Sequence, residues 1–361
     1  MKKVFMAMAV VIVWASCATK HPVASDYNVI FNNPDIYCKT VYELNSVVMN
    51  NNFSPIVASR NYMYANIAAY EVIAAGDPGH YNSLAGQAKG LSFVPKPAAG
   101  VKIDYNFASL LAFWKLGEAV TFSENETKDY VDSLKNLAKD HGMPADIYDN
   151  SVKYADTVAA VIMTWSRKDN YKETRGMPEY TVYNDSPARW VPTPPAYSPA
   201  AEPHWTMIRP VVLDSSNEFL PPPPYKFDVV NSSSAYYREI IASKKAVDSL
   251  TPEQAHIADF WDDNPFKLNV SGHAMFSTKK FSPPGHWMSI VGIAAKQAKA
   301  DYNTTVYAYA KTAIALFDAF IACWDSKYAY NTVRPETVIN KYFDPNWRPH
   351  LQTPPFPEYV C

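Results

Sequence analysis

Two cationic side chains near the end of the sequence are spaced so that they could bind one anion. Lys327 is followed after six residues by Arg334 and then by Pro335. On a continuous helix a spacing of seven returns to the same face about two turns later, whereas Pro335 favours placing Arg334 at a helix end or in a loop. An ammonium and a planar guanidinium that converge from one side suit a tetrahedral oxyanion, which the Arg would bind through a bidentate fork. The alternative is a solvated pair of cations followed by a turn.

The residues around this pair extend the pattern. Trp324 stands three residues before Lys327 and would share its helix face. Downstream, the chain reads Thr353-Pro-Pro-Phe-Pro-Glu-Tyr-Val-Cys361. Three further stretches belong to the same pattern, and each contains Trp. They are Trp190-Val-Pro-Thr-Pro-Pro, Pro284-Gly-His-Trp and Trp324-Asp-Ser-Lys.

Together these stretches resemble the vanadium-dependent haloperoxidases, in their extracellular bacterial branch. That family shares an oxyanion site with the type 2 phosphatidic acid phosphatases and the bacterial acid phosphatases, and it is marked by K-x6-RP, then P-S-G-H, then S-R-x5-H-x3-D. Lys327, Arg334 and Pro335 match the first block completely. The last stretch is similar to the approach to the second block, with Val360 where the family has Pro and Cys361 where it has Ser.

The resemblance implies roles for particular residues. In the family, the Lys and two Arg hold the oxygens of vanadate or phosphate, a Ser and a Gly complete the cradle, and two His residues supply acid–base chemistry and the vanadium ligand or nucleophile. It therefore implies vanadate as the cofactor of the complete enzyme, oxyanion binding by Lys327 and Arg334, and pocket walls formed by Trp324 and Phe356. The implied partners are a small oxyanion with peroxide and halide, or else a phosphoester.

The family blocks that carry the Gly, both His residues and the second Arg would follow Cys361. The expectation is a truncated chain that lacks the family's metal-ligating His and the C-terminal helices, binds oxyanions weakly and catalyses little. Two His-containing stretches upstream, around His273 and His286, look like the second block but precede Lys327, so they are expected to be structural. A His-rich metal site is disfavoured because these residues lack helical i, i+4 pairing.

Three functions remain open at this point. The first is a vanadium-dependent haloperoxidase, in which peroxide oxidises halide on bound vanadate. The second is an acid phosphatase of the same superfamily that hydrolyses phosphomonoesters or lipid phosphates. The third is a non-enzymatic binding lipoprotein.

Composition excludes several other classes. The 361 residues include 33 Lys and Arg against 35 Asp and Glu, a net charge of −2, which argues against a nucleic-acid partner. Only 11 residues are Gly, and neither GxGxxG nor GxxxxGK[ST] occurs, which excludes both nucleotide-binding fingerprints. Hydrophobic residues make up 48% of the chain, enough for one large domain or two smaller ones.

The N-terminus predicts export. Lys2 and Lys3 precede an apolar run at 4–14 and then Ala-Ser-Cys17, which indicates a signal peptide at 1–16. Cys17 resembles the lipidated cysteine of bacterial lipoproteins, although Trp14 stands where such sites carry an aliphatic residue. We expect a periplasmic or outer-membrane protein that is tethered to the membrane by lipid at Cys17 and has no spanning segment. Plain secretion is the alternative.

Helical signals dominate the rest of the chain, so the predicted fold class is all-α, a large helical bundle. Helices are predicted at 34–50, 56–75, 105–122, 126–140, 144–167, 251–262, 287–299 and 304–324. No run shows the alternation of strands for more than a few residues. Cys38, Cys323 and Cys361 have no paired spacing from which to predict a disulfide or zinc site.

A proline-rich segment at 176–225 divides the chain. It interleaves Pro with Trp190, Tyr197, Trp205 and Ile208, which favours an ordered strap over the helical body rather than a flexible linker. The predicted organisation is a signal peptide at 1–16, an N-terminal helical part at 17–175, the strap at 176–225, and at 226–361 the first, incomplete part of the haloperoxidase or phosphatase helical domain.

The helix at 304–324 is the most apolar in the chain and is predicted to be central. Its charges, Lys311, Asp318 and Asp325, are spaced by seven and so lie on one stripe. Without the family's later helices, its apolar side chains are expected to be left partly uncovered, which predicts aggregation or pairing with another chain. The side chains concerned are Ile314, Leu316, Phe317, Phe320 and Ile321.

Overall fold

The computed structural model describes residues 25–271, 273–277 and 280–359. The predicted signal peptide at 1–16, the lipidation site at Cys17, and Cys361 lie outside the described residues. The predicted all-α class is confirmed. The helices are α1 (Tyr27–Phe31), α2 (Pro34–Asn50), α3 (Pro55–Gly76), α4 (Tyr105–Thr121), α5 (Glu124–Asp140), α6 (Ala145–Ser166), α7 (Tyr171–Thr174), α8 (Ala235–Asp248), α9 (Pro252–Phe260), α10 (Pro283–Gln297), α11 (Tyr302–Tyr330) and α12 (Pro335–Tyr342).

Local capping signals set several helix starts. The Ser54 hydroxyl accepts the N–H of Val57 at the start of α3, with Pro55 at the first helical position. Thr251 and Gln254 form a reciprocal capping box at the start of α9. The helices predicted at 56–75 and 251–262 therefore begin within one residue of their predicted starts.

Several elements escaped the sequence analysis, namely the helices α1, α7, α8 and α12 and a short hairpin. An antiparallel hairpin pairs β1 (Leu268–Ser271) with β2 (Ala274–Ser277), and strands of four residues are too short to show alternation. The helix α8 buries Ile240 alone, so it has no apolar stripe to reveal it. Ile240 nevertheless joins a small second core with residues around α12: Val333, Val338, Ile339 and Trp347.

The central helix of the bundle is α3 rather than α11, which corrects the prediction. Every residue of α3 from Pro55 to Ala74 is buried, and the helix packs against α4, α6 and α11. The burial of α3 could not be predicted from its composition, because the helix contains buried polar residues that are hydrogen-bonded to residues elsewhere in the chain. Arg60 pairs with Asp169 at 2.7 Å, and the Glu71 carboxylate accepts bonds from the Ser83 hydroxyl and the Leu84 N–H.

The helix α11 extends from Tyr302 to Tyr330, beyond the predicted 304–324 at both ends. It is the one helix among the described residues that is long and apolar enough to cross a membrane, and its buried face packs against α3 and α10. The expected uncovered surface on α11 is smaller than predicted. Ile314, Phe317 and Ile321 are buried, while Leu316 and Phe320 are half-buried.

The proline-rich segment packs on the bundle. Trp190, Trp205 and Ile208 are buried, whereas Tyr197 is exposed, contrary to the expectation that it packs inward. Asp318 of α11 anchors this segment, because its buried carboxylate accepts three successive backbone N–H groups. These belong to Val211 (2.8 Å), Val212 (2.8 Å) and Leu213 (3.1 Å).

We predict that Asp318→Ala lowers the free energy of unfolding by about 1–3 kcal/mol, because it leaves buried N–H groups without an acceptor. Urea unfolding measures this change. Asp325→Ala is the matched control on the same helix, because Asp325 accepts one bond, from the Ser216 hydroxyl at 3.1 Å. Equal losses in the two variants would contradict an anchoring role for Asp318.

Candidate oxyanion-binding site

The loop between α11 and α12 places the two predicted cations. Lys327 lies in the last turn of α11, which ends where Asn331 adopts a left-handed conformation (φ 48°) and donates its N–H to the Lys327 carbonyl at 2.8 Å. Arg334 is the N-cap residue of α12, with Pro335 at the first helical position. The chain reversal at Asn331 therefore brings Lys327 and Arg334 to one cavity from two different helices.

Backbone hydrogen bonds on both sides hold this loop. The strap lies along one side of it, and the segment near the C-terminal end of the described residues lies along the other. The bonds run from Trp190 N–H to Asn331 O (3.0 Å), from Val333 N–H to Ala188 O (2.8 Å) and from Glu358 N–H to Thr332 O (3.0 Å). The strap thus positions the loop that carries Arg334.

Lys327 is buried, with 1% of its surface exposed. Its ammonium donates to the carbonyl oxygens of Pro357 (3.2 Å) and Glu358 (3.1 Å) and lies 5.0 Å from the centroid of the Phe356 ring. Backbone carbonyls carry only partial negative charge. They hold the ammonium at a defined place on the wall of the cavity.

Arg334 is also buried, with 5% of its surface exposed. Its Nε donates to the Phe356 carbonyl at 2.6 Å, and its Nη1 forms an ion pair with the Glu358 carboxylate. Its Nη2 is buried and has no hydrogen-bond partner among the described residues. A buried guanidinium donor without an acceptor is costly, which indicates a place for a ligand oxygen.

The two predicted wall residues meet at this cavity. The ring centroids of Trp324 and Phe356 are 5.0 Å apart, and the indole N–H of Trp324 donates to the Ala201 carbonyl at 3.0 Å. The cavity has a volume of about 660 Å³, and its lining includes Lys327, Arg334, Trp324 and Phe356. All four residues that the sequence singled out therefore lie around one space.

Four acidic residues of the cavity were missed by the sequence analysis. Asp262 contacts the Lys280 ammonium at 2.6 Å, and the Glu358 carboxylate lies on Arg334. Glu336 is buried, and burial raises the pKa of its carboxyl group, offset by the Thr353 hydroxyl and by the charges of Arg348 and Arg334. The fourth, Asp263, pairs with a histidine. No motif marked these residues, although Glu336 directly follows the Arg-Pro pair.

The two histidines expected to be structural lie apart from Lys327 and Arg334. His286 is in the first turn of α10, where its Nδ1 lies 2.7 Å from Asp263 and its ring stacks on Trp261. His273 is exposed at the turn of the β1–β2 hairpin. Within the part of the chain that the structure describes, no cluster of three or more His, Cys, Asp or Glu residues could hold a metal ion.

Known proteins share this fold and, in one case, much of this sequence. A family model for the VCPO second helical-bundle domain matches residues 307–361. The first bacterial vanadium-dependent iodoperoxidase of known structure is 41% identical, with a TM-score of 0.83, and the match covers 90% of this chain and 76% of that one. No curated protein sequence matches.

Two further structures share the fold alone. They are the apo and holo forms of a bacterial vanadium-dependent chloroperoxidase, with TM-scores of 0.59 and 0.56 and identities of 16% and 15%. Each match covers 85% of this chain and 73% of the other. The helical fold and the clustered cations define a protein of the haloperoxidase class. The chain belongs to the vanadium-dependent haloperoxidase family.

We predict that Glu336→Gln raises the melting temperature at pH 7, by about 2 °C for each kcal/mol of burial cost that it relieves. The folded-state pKa of Glu336 is raised, so the folded protein holds this proton more tightly than the unfolded chain does. The free energy of unfolding of the wild type therefore falls as pH rises through the range in which carboxyl groups lose their proton. The difference in melting temperature between Glu336→Gln and the wild type should accordingly shrink at acidic pH.

Thermal melts of both proteins between pH 4 and pH 7 measure this difference. Glu239→Gln, at an exposed position of α8, is the control. A difference in melting temperature between Glu336→Gln and the wild type that stays the same at every pH would contradict the conclusion that burial disfavours the Glu336 carboxylate.

Proposed function

We propose that this protein, in its complete form, is a haloperoxidase that holds vanadate between Lys327 and Arg334 and uses hydrogen peroxide to oxidise a halide. The observation that carries this proposal is the Nη2 of Arg334, a buried guanidinium donor without a partner among the described residues. The family membership supports the choice of vanadate, and the 41% identical iodoperoxidase makes iodide the first halide to test.

The residues present fit an oxyanion better than a metal cation. Vanadate is negatively charged and is bound by hydrogen-bond donors, and the cavity offers an ammonium and a guanidinium that are both buried. Of the cavity's acidic residues, Asp262 and Asp263 contact other cationic or titratable side chains, Lys280 and His286. Of the four, Glu358 is the acidic residue whose carboxylate pairs with Arg334, and that pairing engages Nη1 and not Nη2.

When bound, vanadate would supply Lewis-acid activation of hydrogen peroxide toward a halide. The contribution of the protein is fixed positive charge beside the aromatic side chains of Trp324 and Phe356. The Phe356 ring lies 5.0 Å from the Lys327 ammonium and 4.8 Å from the Arg334 guanidinium, so it limits the motion of both. Charges that are already oriented need no reorganisation when charge develops on the ligand.

We predict that Arg334→Lys weakens the binding of vanadate or inorganic phosphate by about 1–3 kcal/mol, because an ammonium cannot bond Phe356 and Glu358 and at the same time present a donor where Nη2 lies. Calorimetry measures binding directly, whether or not the protein turns over substrate. Arg238→Lys, at an exposed position of α8, is the control. Equal affinities in the wild type and Arg334→Lys would mean that Arg334 does not face the anion.

Assays on the same proteins separate the competing functions. Vanadate-dependent oxidation of iodide by peroxide supports the haloperoxidase. Release of phosphate from a phosphomonoester, without halide oxidation, would favour an acid phosphatase instead. Anion binding without either activity would favour a binding lipoprotein.

We also propose that the protein is exported and tethered to a bacterial membrane by lipid at Cys17, on the strength of the basic and apolar N-terminal sequence. A lipid anchor partitions into detergent, so Cys17→Ala should move the protein to the aqueous phase in a detergent-partition assay. Cys38→Ala is the control and should stay in the detergent phase. Unchanged partition of Cys17→Ala would rule out the anchor.

A further inference from the structure

The Glu358 carboxylate occupies a defined place beside the unpartnered donor of Arg334. Its Oε2 pairs with Nη1 of the guanidinium, whose Nη2 is the buried atom without a partner among the described residues. The backbone of Glu358 is fixed at both ends of the residue, because its N–H donates to the Thr332 carbonyl and its C=O accepts from the Lys327 ammonium. Its side chain is 30% exposed, whereas that of Arg334 is 6% exposed.

An oxyanion that contacts both Lys327 and Arg334 must therefore lie next to a negative oxygen. Head-on binding by a guanidinium uses Nη1 and Nη2 together, and Nη1 already carries Glu358. A fully deprotonated anion such as sulfate would place its own negative oxygens against this carboxylate, and like charges in close contact disfavour binding.

An oxyanion that retains a proton meets the same carboxylate differently. Phosphate and vanadate carry at least one O–H near neutral pH, and that O–H can donate to Glu358. The second carboxylate oxygen, Oε1, has no hydrogen bond within the part of the chain that the structure describes, so it is available as an acceptor. A hydrogen bond to a charged acceptor is stronger than one to a neutral acceptor.

We infer that Glu358 is the specificity-determining residue of the oxyanion site and selects oxyanions that carry an O–H over those that do not. This inference rests on the anion site proposed for Lys327 and Arg334 and adds the chemical class of anion that the site accepts. Discrimination arises from a repulsive element against the wrong ligand as well as from an attractive one toward the right ligand.

The other acidic residues of the cavity do not substitute for Glu358. Asp262 is engaged by Lys280, and Asp263 by His286. Burial raises the pKa of Glu336, which disfavours its charged form, and its hydrogen bond is with Thr353. Glu358 is the acidic residue whose carboxylate touches the arginine itself.

Calorimetric titration with inorganic phosphate and with sodium sulfate, at constant ionic strength, tests the inference. The wild type should prefer phosphate over sulfate by at least about tenfold, because phosphate can donate an O–H to the Glu358 carboxylate and sulfate has no proton to donate. Glu358→Gln keeps the size of the side chain and removes its charge, and its amide N–H₂ can donate to sulfate. Its affinity for sulfate should rise by about tenfold, and the preference for phosphate should collapse.

Two further variants keep the result unambiguous. Glu358→Asp retains the negative charge and should continue to exclude sulfate. Glu239→Gln makes the same charge change at an exposed position of α8 and should leave both affinities unchanged. A phosphate-to-sulfate ratio that is the same in the wild type and Glu358→Gln would overturn the inference.

The outcomes also distinguish this inference from the site on which it rests. If phosphate binding falls in Arg334→Lys but the ratio is unmoved in Glu358→Gln, the anion site stands and the role of Glu358 is wrong. If neither anion binds to any of the proteins, the site itself is wrong and the selectivity falls with it.

Discussion

Two positive charges are buried side by side in this protein, on Lys327 and Arg334, and much of the surrounding structure compensates for them. An isolated charge in a protein interior is unfavourable by several kcal/mol unless it finds partners. Here the partners come largely from one short segment, because Phe356, Pro357 and Glu358 supply three carbonyl oxygens and one carboxylate. The compensation is incomplete at the Nη2 of Arg334. That deficit is the observation from which we propose that the cavity binds an anion.

The strap serves this arrangement from the opposite side. Its Ala188 and Trp190 bond the loop between α11 and α12, and Ala201 accepts from the Trp324 indole. Asp318 binds the later part of the strap to α11 through three backbone N–H groups. Its position on α11 is buried, and in a purely apolar core helix a hydrophobic side chain would stand there. The proline-rich segment, which cannot form helix or sheet ladders of its own, thus has its backbone groups satisfied by the bundle.

Polar residues in the bundle core follow the same rule. Arg60 bonds Asp169, whose carboxylate also accepts from the Tyr64 hydroxyl, and Arg60 lies over the rings of Tyr64 and Tyr171. Asp169 stands where α6 passes into the strap, and its carbonyl accepts from the Arg209 N–H. A buried, fully paired network of this kind links the central helix α3 to the segment that positions the functional loop.

The helical class, several of the helix starts and the family to which the chain belongs could all be predicted from the sequence. These features depend on local signals such as the Ser54 and Thr251 caps, or on contiguous motifs such as Lys327 to Pro335, which are readable without knowing the neighbours. The sequence also singled out Trp324, Lys327, Arg334 and Phe356, which the structure gathers around one cavity. The prediction that α11 is central was wrong, because apolar composition correlates with burial only on average. The more deeply buried helix, α3, contains polar residues whose partners are distant in sequence, so its composition does not reveal its burial.

The partners of Lys327 and Arg334 could not be predicted from the sequence and are seen only in the folded chain. Nothing in the type or spacing of Glu336 and Glu358 distinguishes them from exposed acids, since a carboxylate acquires a special role from the groups packed against it. The pairing of Glu358 with Arg334 depends on a backbone bond between residues 332 and 358, and the position of Arg334 depends on a strap more than a hundred residues upstream. Such contacts join residues that are far apart in the sequence. They depend on how side chains fit and how charges pair, and both are fixed only when the whole bundle is packed.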